Sequence, residues 1–117
     1  MDTQELLLDP KALKNLAQDL GLENTRKIMD SLDNEFQKRI ENLRQAIAEK
    51  SFDQLGLEAH SLKSSAQISG AHKLAEILIK IELLTRQKDE EAFILAQEAI
   101  TTADLTRFAF LDVKLES

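Results

Sequence analysis

His60 and Lys63 stand about one helical turn apart in a stretch whose apolar residues Phe52, Leu55, Ala59, Leu62 and Ala66 recur at helical spacing. Counted at about 100° per residue, His60 falls roughly 125° from the centre of that stripe, so its imidazole points to solvent. A neutral imidazole is a good nucleophile near neutral pH, and attack on phosphorus needs an approachable nitrogen. A phosphoryl group brings about two negative charges, which a lysine one turn away is placed to offset. Gly56, Lys63, Ser64 and Gln67 surround His60 on the helix surface. Gly56 and Ser64 keep the neighbouring side chains small, so a partner protein can press close. A glycine inside a helix costs around 1 kcal/mol relative to alanine, and close packing or close approach would supply its reason. Leu57 points away from the stripe one turn before His60 and suits a docking contact. Ser61, beside His60, completes the candidate partner face of Gly56, Leu57, Ser61, Ser64 and Gln67. The same phase also fits an ordinary surface histidine beside a solubilising lysine, and spacing alone leaves both readings open.

The elements that must position these residues are helical. Asp9-Pro10 is a helix start, with Asp9 as N-cap and proline at the first helical position. Leu13, Leu16, Ala17 and Leu20 follow at helical spacing, and Gly21 ends the segment as a left-handed residue. A long amphipathic helix from about 24 to 50 carries Ile28, Leu32, Phe36, Ile40, Leu43 and Ile47 on one stripe. Its charged positions read as a solvated face. Ser51 opens a helix to about 69 with a capping box, Gln54 reaching back. A fourth runs from about 71 to 87 on Leu74, Ile77, Leu78, Ile81 and Leu84. A fifth, capped by Asp89, holds Phe93, Ala96, Ile100, Ala103 and Phe110 and extends toward Leu115. The expected fold is all-α: an up-down-up-down antiparallel four-helix bundle, with the short first helix (about 9–20) capping one end.

Composition narrows the function. The 117 residues fit a single domain spanning the chain, with 43% apolar and 31% charged residues, an ordinary globular balance. The absence of cysteine excludes disulfides and thiolate chemistry and suits the reducing cytoplasm. A net charge of −6 disfavours nucleic acid and anionic membrane surfaces as partners. The opening Met1-Asp2-Thr3-Gln4-Glu5 has no basic segment of a signal peptide, and no apolar run approaches the roughly 20 residues of a membrane-spanning helix. No second extended apolar stripe is left over for self-association, so a monomer is expected.

The run Ala59-His60-Ser61-Leu62-Lys63-Ser64-Ser65-Ala66, followed by Gly70-Ala71 and Leu74, resembles the signature of histidine-containing phosphotransfer (HPt) domains, roughly A-H-x-L-K-G-S-S/A-x-x-x-G-A-x-x-L. The likeness is gap-free from Ala59 to Leu74 and extends outward to Leu8-Asp9-Pro10, Leu13, Leu16 and Gly21. It implies the four-helix bundle with His60 as phospho-acceptor through Nε2, Lys63 steadying the phosphoryl charge, and Gly70 turning the chain into the next helix. It also implies that Glu82, 22 positions after His60, bonds Nδ1 and orients the ring. Ser64 stands where the family usually has glycine, and the Lys-Ser-Ser form resembles stand-alone bacterial phosphorelay proteins of the LuxU-like type. The implied partners are the receiver domain of a hybrid sensor histidine kinase and a response regulator. The protein would need no cofactor of its own, since the receiver supplies the Mg²⁺ site. His72 lies outside the motif and reads as a surface residue.

Two other functions compete with a phosphoryl carrier that is not itself an enzyme. A catalyst or metal protein is disfavoured: there is no Gly-rich phosphate loop, no His-Glu-x-x-His run, and no Glu-x-x-His pair for a di-iron bundle. A non-phosphorylated adaptor that binds receiver or kinase domains is the closer alternative, and the presence of both His60 and Lys63 speaks against it.

Overall fold

The computed structural model describes residues 7–113, which form α-helices and no strand. The helices are α1 (Pro10–Leu20), α2 (Leu22–Glu49), α3 (Phe52–Ile68), α4 (His72–Arg86) and α5 (Glu91–Leu111). Each of α2 to α4 packs on the next, α4 packs on α5, and α5 returns to α2; α3 and α4 share the most extensive contact. None of the described helices is long and apolar enough to cross a membrane.

Capping chemistry explains most of the boundaries. The Asp9 carboxylate accepts from the Lys11 N–H at 3.0 Å, with proline at the first turn. Gly21 ends α1 at φ 87°, ψ 160°, a positive-φ conformation outside the left-handed helical basin and open mainly to glycine. It turns the chain alone, so α2 starts at Leu22 rather than near Asn24, with Thr25 Oγ1 bonding back to the Gly21 carbonyl at 2.8 Å. Ser51 Oγ accepts from the Gln54 N–H at 3.1 Å. The reciprocal half of the expected capping box has no free donor, because the Ser51 N–H already bonds the Ala46 carbonyl at 3.1 Å. Asp89 Oδ1 accepts from the Glu91 N–H at 3.0 Å, as its capping role requires.

Helix α5 stops at Leu111, short of Leu115, because Val113 turns inward against the cluster around Leu8, Leu13, Leu32 and Phe110. Residues 114–117, including Leu115, lie outside the described residues, as do residues 1–6. The main core joins Phe36, Ile40 and Leu43 of α2 to Leu55 and Leu62 of α3, Leu74, Leu78 and Ile81 of α4, and Ala96 and Ala103 of α5.

The charges of α2 do more than meet solvent. Arg39 Nη1 donates to Glu58 Oε2 of α3 at 2.8 Å, and Arg107 Nε of α5 donates to Asp33 Oδ1 at 2.6 Å. Glu58 is buried, and Asn42 donates to its second oxygen at 3.2 Å. Glu58 and then Glu35 hold the Arg39 guanidinium in its charged form, raising its pKa. Helix α5 also leaves Leu105, Phe108 and Leu111 exposed, an apolar surface that counting one stripe per helix does not reveal.

Candidate functional site

Helix α3 buries Leu55, Ala59, Leu62 and Ala66 completely, and this fixes the rotation that turns His60 outward. The His60 side chain is 65% exposed. Across the α3–α4 contact its Nδ1 meets Glu82 Oε2 at 3.3 Å. An ionised carboxylate can only accept, so Nδ1 carries the hydrogen in this pair. Nε2 is then the nitrogen with a free lone pair, and it has no protein partner among the described residues.

Glu82 is nearly buried, at 8% exposure, yet it stays charged. Burial alone would push its carboxyl up; Lys63 first and His60 second outweigh that and hold it below the usual carboxylate range. Lys63 Nζ lies 2.7 Å from Glu82 Oε1, a close ion pair. The lysine thus lies in the cleft between α3 and α4, on the far oxygen of the carboxylate, rather than reaching freely into solvent.

The other candidate residues fall around this pair. Leu57 is 64% exposed one turn before His60, and Ser64 and Gln67 are exposed beyond it. Ser61 is half-buried, and its hydroxyl donates to the Leu57 carbonyl at 3.1 Å. Gly56 faces α4: a Cβ there would stand 2.8 Å from Thr85 Oγ1, so close helix packing accounts for this glycine. His72 opens α4 beside Asp9, 3.9 Å away, about 15 Å along the helix from Glu82, and takes no part in the site.

One residue escaped the sequence reading. Arg86 follows Glu82 by one turn of α4, and its Nη2 lies 3.7 Å from Glu82 Oε2 with the side chain largely exposed. The signal was an acidic-basic pair at i, i+4, which on its own describes many helix surfaces. Arg86, His60, Leu57, Gly56 and Glu82 line a shallow groove of about 370 Å³, with Asp53 adding a negative charge at its rim. The site therefore presents one nucleophilic nitrogen at the surface, a buried anion behind its ring, and two cations on that anion. Such a set can accept a small, doubly charged electrophile delivered by another molecule.

Residues 27–107 match the family model of the Hpt domain, a span from within α2 to near the end of α5. The fold is similar to that of histidine-containing phosphotransfer protein B (HptB) from Pseudomonas aeruginosa PAO1. The superposition has a TM-score of 0.81 at 22% sequence identity and covers 89% of this chain and 90% of that one. No curated protein matches the chain significantly.

Proposed function

The chain belongs to the Hpt domain family, and from that premise we propose that it carries a phosphoryl group on His60 between receiver-domain aspartates of a two-component phosphorelay. The single observation behind this is the exposed imidazole whose Nδ1 is engaged by a buried carboxylate at 3.3 Å. Nε2 attacks the phosphorus of an aspartyl phosphate; the Nε2–P bond forms as the P–O bond to the partner's aspartate breaks, and that aspartate leaves as a carboxylate. The ring keeps its Nδ1 proton and becomes positively charged, and Glu82 offsets that charge. The reverse step delivers the group to a second receiver. Lys63 lends positive charge from within the helix pair, and Arg86 from the solvent side.

In this reading the protein has no kinase activity and needs no cofactor; Mg²⁺ belongs to the receiver. The receiver of a hybrid sensor kinase and a response regulator dock on Leu57, Ser61, Ser64 and Gln67, with Gly56 keeping the groove floor low. The four long helices form an up-down-up-down bundle in one domain, and α1 closes one end. The Asp9 N–H bond to the Gly70 carbonyl at 2.9 Å, and the packing of Leu13 with Leu32 and Phe110, support that topology. The protein works as a cytoplasmic monomer, and its cysteine-free sequence suits that compartment.

The test is incubation of wild type and His60→Gln with a phosphorylated receiver domain, following acid-labile, base-stable label. Wild type takes up label and the variant does not. Equal, negligible uptake by both sinks the carrier reading and favours the adaptor.

A further inference from the structure

We propose that the contact between Gly56 and Thr85 sets the spacing of α3 and α4 at which Glu82 reaches His60 Nδ1, making both of them positioning residues for the imidazole. The inference rests on His60 being the acceptor, and it deepens that reading.

A mid-helix glycine costs around 1 kcal/mol relative to alanine, and Gly56 has no positive φ to justify it. What it has is proximity. A Cβ there would meet Thr85 Oγ1 at 2.8 Å, about 0.6 Å short of ordinary contact between packed atoms. Thr85 cannot easily yield. It is buried, β-branched, and its hydroxyl donates to the Glu82 carbonyl at 2.8 Å. The missing Cβ therefore permits an approach that the facing helix depends on.

The geometry links this approach to the site. Gly56 precedes His60 by four residues and Thr85 follows Glu82 by three, so the two pairs sit one turn apart along the same helix contact. The His60–Glu82 separation of 3.3 Å is already at the long end for N–H···O. An added separation of several tenths of an ångström at Gly56 carries it past hydrogen-bond range. Lys63 is a flexible chain and can follow Glu82, so the carboxylate keeps its ion pair while the ring loses its orientation. The Nδ1–H tautomer is then no longer enforced, and Nε2 spends part of its time protonated and non-nucleophilic.

The experiment uses the full chain with ¹⁵N-labelled histidine and phosphoramidate as a small phosphoryl donor. Its P–N bond breaks as Nε2–P forms and ammonia leaves. Gly56→Ala adds the Cβ; Thr85→Ile pushes from the other side by replacing the hydroxyl with a methylene and adding a terminal methyl; Gly56→Ala/Thr85→Ala removes the atoms that clash. Both single variants are expected to lower the Nδ1–H fraction of His60 and slow uptake by about tenfold, short of the roughly hundredfold that a displacement of about 1 Å can cost. The double variant is expected to recover both readouts to within about twofold of wild type. A folded Gly56→Ala or Thr85→Ile with the wild-type tautomer overturns the proposal, as does a double variant no better than Gly56→Ala. Should Gly56→Ala fail to fold, Thr85→Ile and the double variant decide it. The tautomer readout needs no phosphoryl transfer: if wild type takes up no phosphoryl group from a phosphorylated receiver domain while the tautomers follow this pattern, the carrier reading fails and the positioning role stands.

Discussion

Glu82 keeps a negative charge at a nearly buried position because Lys63 and His60 stand against it. That makes it a stability element as well as the proposed orienting group of the imidazole. Its folded-state pKa lies below the ordinary carboxylate value, so the unfolded chain takes the proton first as pH falls. The stabilisation is complete above the unfolded carboxyl's pKa and is lost as pH drops through the folded one. Glu82→Gln should therefore flatten the fall in melting temperature between neutral and acid pH, and thermal melts at several pH values will measure it. An unchanged slope would assign the acid sensitivity to other carboxylates. The two cations should separate as well. Arg86→Gln is expected to slow label uptake severalfold with the melting temperature unchanged, since its side chain is largely exposed. Lys63→Gln should reduce both, because it leaves a buried carboxylate without its nearest cation. The exposure of His60 was legible from helical phase, and the contact of Glu82 with its Nδ1 from family resemblance. The Lys63–Glu82 contact and the place of Arg86 on the groove beside His60 were not, because both depend on how α3 and α4 are set against each other, and no single helix encodes that.

At the scale of elements, the helices were legible because each carries its own apolar period, and their ends were legible where a side chain caps them. Asp9, Ser51 and Asp89 all cap as their types predict. The misses have a common origin in backbone conformation and tertiary packing. Gly21 turns the chain by itself, and Val113 leaves the helix to fill a cluster. Gly70, expected from the sequence to end α3 and turn the chain, does so by both effects. Its φ is +78°, and a Cβ there would lie 2.8 Å from the Asp9 carbonyl and 2.9 Å from Ala12 Cβ. It thus ends α3 and accepts α1 against the turn, where the Asp9 N–H bonds its carbonyl at 2.9 Å. Gly70→Ala should cost about 1–3 kcal/mol through backbone strain and clash together. Thermal denaturation reads the total. Hydrogen exchange at Asp9 distinguishes undocking of α1, the expected result, from a uniform loss across all helices.

For the molecule as a whole, the question is which apolar surface meets the partner. Leu57 and Phe108 are almost equally exposed, at 64% and 65%. They belong to different surroundings. Leu57 lines the groove that holds His60, Glu82 and Arg86, whereas Phe108 sits near the α5 end with Leu105 and Leu111. In the proposed transfer a receiver brings its aspartate to Nε2, so its footprint has to include the groove, and apolar contact there supplies affinity that this acidic protein cannot draw from charge alone. Leu57→Glu and Phe108→Glu place the same carboxylate on each surface, and neither side chain supports the core. Both variants should melt like wild type. Leu57→Glu should weaken binding of a phosphorylated receiver by about tenfold or more, roughly 1.4 kcal/mol upward. Phe108→Glu should leave it within about twofold, inside the range of a substitution away from the contact. Titration calorimetry with one receiver and the two variants measures this directly. Equal losses would mean that the partner spans both surfaces, and a loss confined to Phe108→Glu would move the docking face away from His60 altogether.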